Sequence, residues 1–400
     1  MINSLKEKKV FLIVENDSFF EGIAGKRIKK ENFNYFFIEK FFYKKIKNDK
    51  KKSLKEFLNF ISKFLKNFDY LVFVLKKDLL YSFSFKSTFI RDNEQISLQE
   101  QELENILQKT QQKIFNLWQK EIKNFLKTRQ IDLKICDSSC KKVFIDDHLV
   151  ANPLEFKGRS ISFLLENTLI DKNLFYSLKI IFKKLFEKNP SLSIKFVEKN
   201  FCFLKNIESL VKENFLYLGT WKEGIELSIL GEEIFEKNLL KLNWSFFKNS
   251  VEKISETFEI DKEIGEKIYF LYFNKEVSLK FHKKLNQILE TTFLGFKDGL
   301  KFLFSQIKLK NKNFKKVLIL GDDLFWEKTR KINLNECFKR QVKKIVLSQK
   351  DCLSKLKIKV KLNKKRIEKE DFLKILDFNY PFLEKNKTVS NLISKIIFRI

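Results

Sequence analysis

The chain is poor in the residues that break, cross-link or metallate a fold. Its 400 residues include 3 prolines, 10 glycines, 1 methionine and 2 histidines. No Pro- or Ser-rich stretch separates domains, and KNDKKK (47–52) is the best exposed loop. The glycine-aromatic signature of an RNA-binding sheet is missing. Five cysteines (Cys136, Cys140, Cys202, Cys337, Cys352) are an odd number, and CDSSC has no second pair at zinc-like spacing. With only His148 and His282 beside them, the composition argues against a Cys/His metal site, and a reduced, cytoplasmic protein fits. The N-terminal FLIV is too short for a signal-peptide core, and no apolar run approaches bilayer length. The expected location is cytoplasmic, at most peripheral at the inner face of the cytoplasmic membrane.

Phenylalanine and lysine are abundant instead. A 44% hydrophobic composition with 46 phenylalanines can fill a large core, and the length accommodates two or more domains. Lys, Phe, Ile and Asn together look like AT-rich codon usage. The net charge of +29 attracts polyanions, nucleic acid or anionic lipid. The lysines are nonetheless spread along the chain with no Arg-rich patch. That counts against nucleic acid and favours a solvated surface.

Periodicity predicts an α/β chain. Strands over 8–17, 18–25 and 33–43 form a meander, followed by a helix burying Leu54, Phe57, Leu58, Ile61, Phe64, Leu65 and Phe68. Ser53 and Glu56 read as its capping box. DYLVFVL (69–75) is a strand buried on both faces. A second block begins with a strand over 81–90 and a helix from Ser97, capped through Glu100, that points Leu103, Leu107, Ile114, Trp118, Ile122 and Phe125 inward. Strands near 131–136 and 142–150 precede the segment 151–170. A helix over 173–188 and a strand over 192–198 resume the first unit. At FLYLGTWKEGIEL (215–227) the pattern restarts: strand, glycine turn, strand, then helices near 247–258, 261–273 and 278–308. VLILGDD ends a buried strand.

In order and spacing these segments resemble the actin-like ATPase superfamily, and within it the FtsA and PilM branch. The likeness rests on the interrupted meander, on FLYLGTWKEGIEL against a family strand reading apolar-Asp-x-Gly-x-x-Thr, and on VLILGDD at the adenosine loop. VFIDDHLVANPLEFKG also resembles a family segment with Asn-Pro before a glycine. The resemblance implies a two-lobed actin-like (ribonuclease H-like) α/β fold with an inserted strand-helix-strand-strand subdomain. The first lobe would comprise 1–82 and 171–212, the insert 83–170 and the second lobe 213–350. A C-terminal segment, 351–400, would end in an amphipathic helix.

The resemblance also places a nucleotide at Glu15, Asp17 and Ser18, at Gly219 and Thr220, and at Gly321, Asp322 and Asp323. The chemistry departs from the family at each loop. Asp17 stands where glycine admits phosphate, Tyr217 replaces an Asp, and two carboxylates follow Gly321. A carboxylate about 4 Å from a phosphate oxygen costs about 1–4 kcal/mol without a cation. The expectation is a degenerate site without cofactor, with ATP and Mg²⁺ held only if the altered site still binds. Blander readings stand beside it: a hairpin turn at Gly219, a helix-capping turn at Asp322-Asp323, core packing for Trp221, a solvated turn at Asp146-Asp147-His148, and strand-end roles for Cys136 and Cys140.

At the C-terminus, Val389, Leu392, Ile393, Ile396, Ile397 and Ile400 form one helical stripe. FtsA-like proteins end in a membrane-binding helix of this kind. Docking on the protein core is the favoured reading and a membrane-facing stripe its alternative. The functional expectation is a non-catalytic scaffold or adaptor in bacterial cell division or pilus-type envelope assembly. It would act through a protein partner at 83–170, with self-association as a further mode. The alternatives are an active ATPase using Glu15, Asp322 or Asp323 with a metal, and a basic nucleic-acid-binding protein.

Overall fold

The computed structural model describes residues 6–16, 18–30, 33–47, 49–76, 79–125, 132–210, 214–220, 225–230, 240–242, 246–273, 275–306, 316–321, 343–360, 369–383, 385–386 and 388–393. Two compact units emerge: Met1–Ile207 with Lys357–Leu362 and Lys374–Ile400, and Glu208–Leu356 with Asn363–Leu373. Residues 351–400 are thus divided between the units.

In the first unit, β1 (Lys6–Glu15), β2 (Phe19–Lys30) and β3 (Phe33–Lys45) form an antiparallel meander. β4 (Tyr70–Leu75) joins β1 in parallel, and β9 (Ser193–Glu198) joins β4 in parallel. β15 (Ile358–Val360) lies parallel to β3 at its far edge, so the sheet reads β15-β3-β2-β1-β4-β9. Val10 to Val14 and Leu71 to Leu75 are buried, the continuous apolar run of strands covered on both faces. Helix α1 (Lys50–Ile61) covers one face through Leu54, Phe57, Leu58 and Ile61. Its cap differs from the sequence expectation. Asp49 is the N-cap and accepts from the Lys52 N–H, while Ser53 sits inside the first turn and bonds the Asp49 carbonyl. Glu56 pairs with Lys44 rather than closing a capping box. Helix α3 (Lys172–Lys188), capped by Asp171, packs on the same core.

Between β4 and β9 the chain builds a second sheet within the same unit: β5 (Leu80–Ile90), β6 (Leu133–Ile145), β7 (His148–Val150) and β8 (Ser160–Asp171), ordered β5-β8-β6-β7. Helix α2 (Glu100–Phe125) connects β5 to β6. The two strands expected on either side of CDSSC are one strand. Bulges between Ile135 and Asp137 and between Cys140 and Lys142 absorb the polar residues without ending the pairing to β8. Cys136 and Cys140 are therefore buried within β6 and not at its ends. α2 starts at Glu100, later than Ser97, because buried Arg91 gathers the preceding loop. Its guanidinium grips the Glu102 carboxylate with two bonds and donates to the Gly158 and Ile96 carbonyls. Leu103, Leu107 and Ile114 are buried as expected; the side chains of Trp118, Ile122 and Phe125 lie outside the described ones.

In the second unit β10 (Phe215–Thr220), β11 (Ile225–Leu230) and β12 (Leu240–Leu242) run antiparallel. β13 (Lys316–Gly321) and β14 (Lys343–Ser348) extend the sheet in parallel from β10, giving β12-β11-β10-β13-β14. Helices α5 (Phe246–Phe258), α6 (Lys262–Phe273) and α7 (Leu279–Gln306) pack on it through one apolar cluster. Gly265 lets α6 approach α5, since a Cβ there would meet the Ser255 hydroxyl. α8 (Gln349–Lys355) follows β14.

Helix α4 (Lys199–Glu208), not anticipated from the sequence, leaves β9 in the first unit. Glu198 starts it by accepting from the Asn200 and Phe201 N–H groups. α9 (Lys369–Asn379) and a short helix α10 (388–393) complete the described chain.

Candidate functional site

The carboxyl ends of β1, β4 and β9 bring a polar cluster together. Open α/β sheets place their ligands at this end, so it is the first place to look. Glu15, the last residue of β1, is fully buried. Its Oε1 lies 2.7 Å from the Lys50 ammonium, and its Oε2 accepts the Lys76 N–H at 2.9 Å. Lys199 donates to the Glu15 carbonyl (3.2 Å) and to Asn16 Oδ1 (3.4 Å). Asn16 in turn donates to Glu21, which also holds Lys374 at 3.0 Å. Ser18 is exposed in the β1–β2 turn and gives its carbonyl to the Ile46 N–H. Asp17 lies outside the described residues.

Nucleotide-bound Mg²⁺ takes one or two carboxylates as hard oxygen ligands. Glu15 does not fit that role. Its carboxylate is sealed from solvent and neutralised by a lysine of the same chain. Among the described residues, no three His, Cys, Asp or Glu side chains converge on a point where a metal ion would be held.

The corresponding strand ends of the second unit, Thr220, Gly321 and Ser348, carry no charged side chain. β10 is buried along its whole length, Gly219 and Thr220 included. Tyr217 lies in mid-strand with its ring fully buried and its hydroxyl 3.5 Å from Glu226. Thr220 pairs in register with Gly321 of β13. Asp322, Asp323 and Trp221 lie outside the described residues.

Each lobe thus has three antiparallel strands, the first of which continues into two parallel ones, in the order 3-2-1-4-5. This is the ribonuclease H-like lobe twice over, the arrangement of the actin-like fold. No family model matches the sequence, and no curated protein matches it. Solved structures similar to it include a chain of a PilM-PilN type IV pilus biogenesis complex, at 12% identity over 98% of this chain and 98% of that one, with a TM-score of 0.40. A ROK family protein from Streptococcus pneumoniae, solved with sucrose, is 9% identical over 93% and 97%, with a TM-score of 0.39. The cytoplasmic domain of EpsL, an inner-membrane component of the type II secretion system of Vibrio cholerae, is 8% identical over 95% and 96%, with a TM-score of 0.33.

The insert carries the other candidate site. A cavity of about 510 Å³ opens between α2, the start of β6 and the start of α3. Gln111 is buried at its wall. Its amide donates to Ser138 at 2.9 Å, and among the described residues its carbonyl oxygen has no hydrogen-bond partner. A buried amide oxygen left unpaired costs about 1–3 kcal/mol. Phe115 and Tyr176 supply apolar wall, and Lys172 pairs with Asp132 at 2.8 Å on the rim.

The insert is tied to the first lobe by side chains that close the open edge of β9. Asp137 accepts the Phe196 N–H (3.0 Å), Thr168 donates to the Phe196 carbonyl (3.0 Å), and Ser82 accepts the Glu198 N–H (2.8 Å). Edge strands left bare invite unwanted pairing, and here the edge is satisfied from within the chain. Behind it lies a buried ion pair, Lys205 with Glu166. Asn206 bonds the Leu376 carbonyl, Asn379 bonds Asn206, and Cys202 donates to Asp377 at 3.3 Å. Burial pushes the Asp377 carboxyl up to about 7, with Lys199 and Lys374 opposing and Glu21 adding to the shift. Burial likewise lowers Lys385, and it raises Tyr380 well above the ordinary phenol range.

The C-terminal stripe has a different place from the membrane-facing alternative. Val389, Leu392 and Ile393 are buried in the core of the insert. Asn386 caps α10, bonding the Cys140 and Ala151 carbonyls, and the Ser390 hydroxyl accepts the Cys140 N–H. Those three side chains are packed against protein and unavailable to lipid. Ile396, Ile397 and Ile400 lie outside the described residues. The joint residues Lys205, Asn206 and Asp377 escaped sequence reasoning. Polar residues within KNFCFLKNIE were the only signal, and Leu376 and Asn379 lie far along the chain from Asn206.

Proposed function

We propose that this chain is a non-catalytic actin-like scaffold, working by holding a protein partner in the groove of its insert. The setting is bacterial cell division or pilus-type envelope assembly, at the inner face of the cytoplasmic membrane. The observation that carries the reading is the cavity of about 510 Å³ in the insert, walled by Phe115 and Tyr176 beside buried Gln111. Such a cavity, with aromatic wall beside Gln108, Gln112, Asp132 and Lys172, suits a peptide segment with both apolar and polar side chains. Loss of nucleotide chemistry is supported by Glu15, whose carboxylate is spent on Lys50 and the Lys76 N–H. A partner-binding role survives that loss because sites and folds are separable.

Two measurements test it. Mg-ATP is expected to leave the melting temperature unchanged; a ligand at a hundredfold over its Kd would add about 2.7 kcal/mol, and a Mg²⁺-dependent shift of that size overturns the non-catalytic reading. Gln108→Arg/Gln112→Arg, two exposed positions on the cavity wall, should abolish capture of a partner that the native chain and a Leu279→Ala control both retain. Equal capture by all three rules out the groove.

A further inference from the structure

The lobe-1 surface formed by β3, α1 and the short helix Ser62–Asn67 that follows it presents a cluster of aromatic rings to solvent. Phe60 is 50% exposed and Phe64 38% exposed. Both rings pack against Phe42, with centroids 6.4 and 5.1 Å away, and against each other at 6.2 Å. Two ammonium groups crown the cluster. Lys40 lies 5.1 Å from the Phe42 ring and 5.3 Å from Phe64, and Lys63 lies 5.5 Å from Phe60 and 5.2 Å from Phe64. Phe41 and Tyr43, exposed on the opposite face of β3, stack on each other and stand apart from it. The surrounding segment 50–67 carries six lysines, of which Lys50 and Lys51 pair with Glu15 and Asp171, and a single glutamate, Glu56, which is already paired with Lys44 at 3.2 Å. A cavity of about 570 Å³ beside it is lined by Lys45, Lys47 and Lys52 together with Asp49 and Glu56.

We infer that this face is a docking surface for an anionic lipid bilayer. Composition selects lipid over protein. Protein interfaces are enriched in aromatic residues and Arg but depleted in lysine, so the lysines over the rings are what favours lipid. This cluster is phenylalanine under lysine, the pairing that puts apolar rings at the acyl boundary and ammonium groups among anionic headgroups. The charge of the segment matches the cytoplasmic leaflet. The contact is interfacial, because open strand backbone cannot enter hydrocarbon without losing its hydrogen bonds, and no helix among the described residues is long and apolar enough to cross a membrane. The surface stands independently of the insert groove.

The test is co-sedimentation of the full chain with phosphatidylcholine vesicles, with and without phosphatidylglycerol. Binding is expected only with phosphatidylglycerol and should weaken with salt. Phe60→Ser/Phe64→Ser and Lys40→Glu/Lys63→Glu should each reduce it by about tenfold or more. The substituted side chains are exposed or half-exposed, so melting temperatures near native confirm folding. Gln108→Arg/Gln112→Arg should bind vesicles like the native chain, which separates this surface from the groove. Absence of binding to phosphatidylglycerol vesicles overturns the inference, and so does equal binding by all variants. If these four residues instead govern capture of an acidic protein while vesicles are ignored, the face belongs to protein.

Discussion

Glu15 and Thr220 hold the same place in their two lobes. Each ends the first strand of its sheet and pairs with a residue five positions on, Glu15 with Phe20 and Thr220 with Ile225. In the first lobe that position is a buried carboxylate wired to Lys50 and the Lys76 N–H. In the second it is a buried hydroxyl without a hydrogen-bond partner among the described residues. The contrast extends beyond one position. The first lobe surrounds its apolar core with buried polar joints, Lys205 with Glu166, Cys202 with Asp377, and Asn206 with Asn379. The second is described chiefly by one apolar cluster under three helices. One strand order therefore tolerates two ways of closing a sheet. The polar way is used where an insert and a returning chain segment must be fixed in register, because directional bonds specify a position that apolar contact alone leaves loose.

The largest expected effect comes from breaking that joint. Lys205→Met removes the cation facing buried Glu166 and should destabilise the first lobe by about 3–5 kcal/mol. Lys205→Met/Glu166→Leu should recover most of the loss, since an apolar pair of similar volume costs little. Denaturant titration gives the magnitude. Hydrogen exchange gives the location: faster exchange in the first lobe with the second unchanged. Equal loosening of both lobes would mean the joint supports the whole chain.

A pH titration sharpens the comparison next. Asp377 has a folded-state pKa of about 7, above its ordinary value of 3.8. The folded state therefore binds the proton more tightly than the unfolded state. The stability this contributes is complete below the unfolded pKa and is lost as pH rises from about 4 through about 7. At about 1.4 kcal/mol per tenfold, the loss is on the order of 4 kcal/mol by pH 8. Asp377→Asn keeps an acceptor for Cys202 and cannot ionise. Its melting temperature should match the native chain near pH 4 and exceed it increasingly toward pH 8. A constant offset across that range would show that Asp377 does not titrate.

Much of this architecture was readable from periodicity. Runs such as VFLIV, YLVFVL and VLIL have one physical interpretation, a strand covered on both faces, and the helices α3, α5, α6 and α7 follow apolar spacing closely. Local rules failed where a distant contact decided the outcome. Ser53 looks like a cap, but Asp49 takes that place and leaves Ser53 to bond its carbonyl. CDSSC reads as a break, but bulges carry β6 through it because β8 pairs on both sides. Of the candidate nucleotide residues, Glu15 was identifiable by position, while its neutralisation depends on Lys50, 35 residues further along, whose role no motif encodes. The groove depends on Gln111 meeting Ser138 in the middle of β6, again a tertiary event.

The smallest effect returns to the equivalent pair and bears most directly on nucleotide. Glu15→Leu deletes the acceptor for the Lys76 N–H and the partner of Lys50, and should cost about 1–3 kcal/mol. Thr220→Val has nearly the same shape and removes only a hydroxyl. If that hydroxyl is unpaired in the folded protein, its removal is neutral or stabilising by up to about 1 kcal/mol, because desolvation of a polar group is no longer borne without return. Thermal scans of both variants, with and without Mg-ATP, check the two halves together. A destabilised Thr220→Val would mean the hydroxyl has a partner in solution. If the native chain gained stability from Mg-ATP and Thr220→Val lost that gain, the partner would be the nucleotide itself, and the second lobe would retain the chemistry that lysines have displaced from the first.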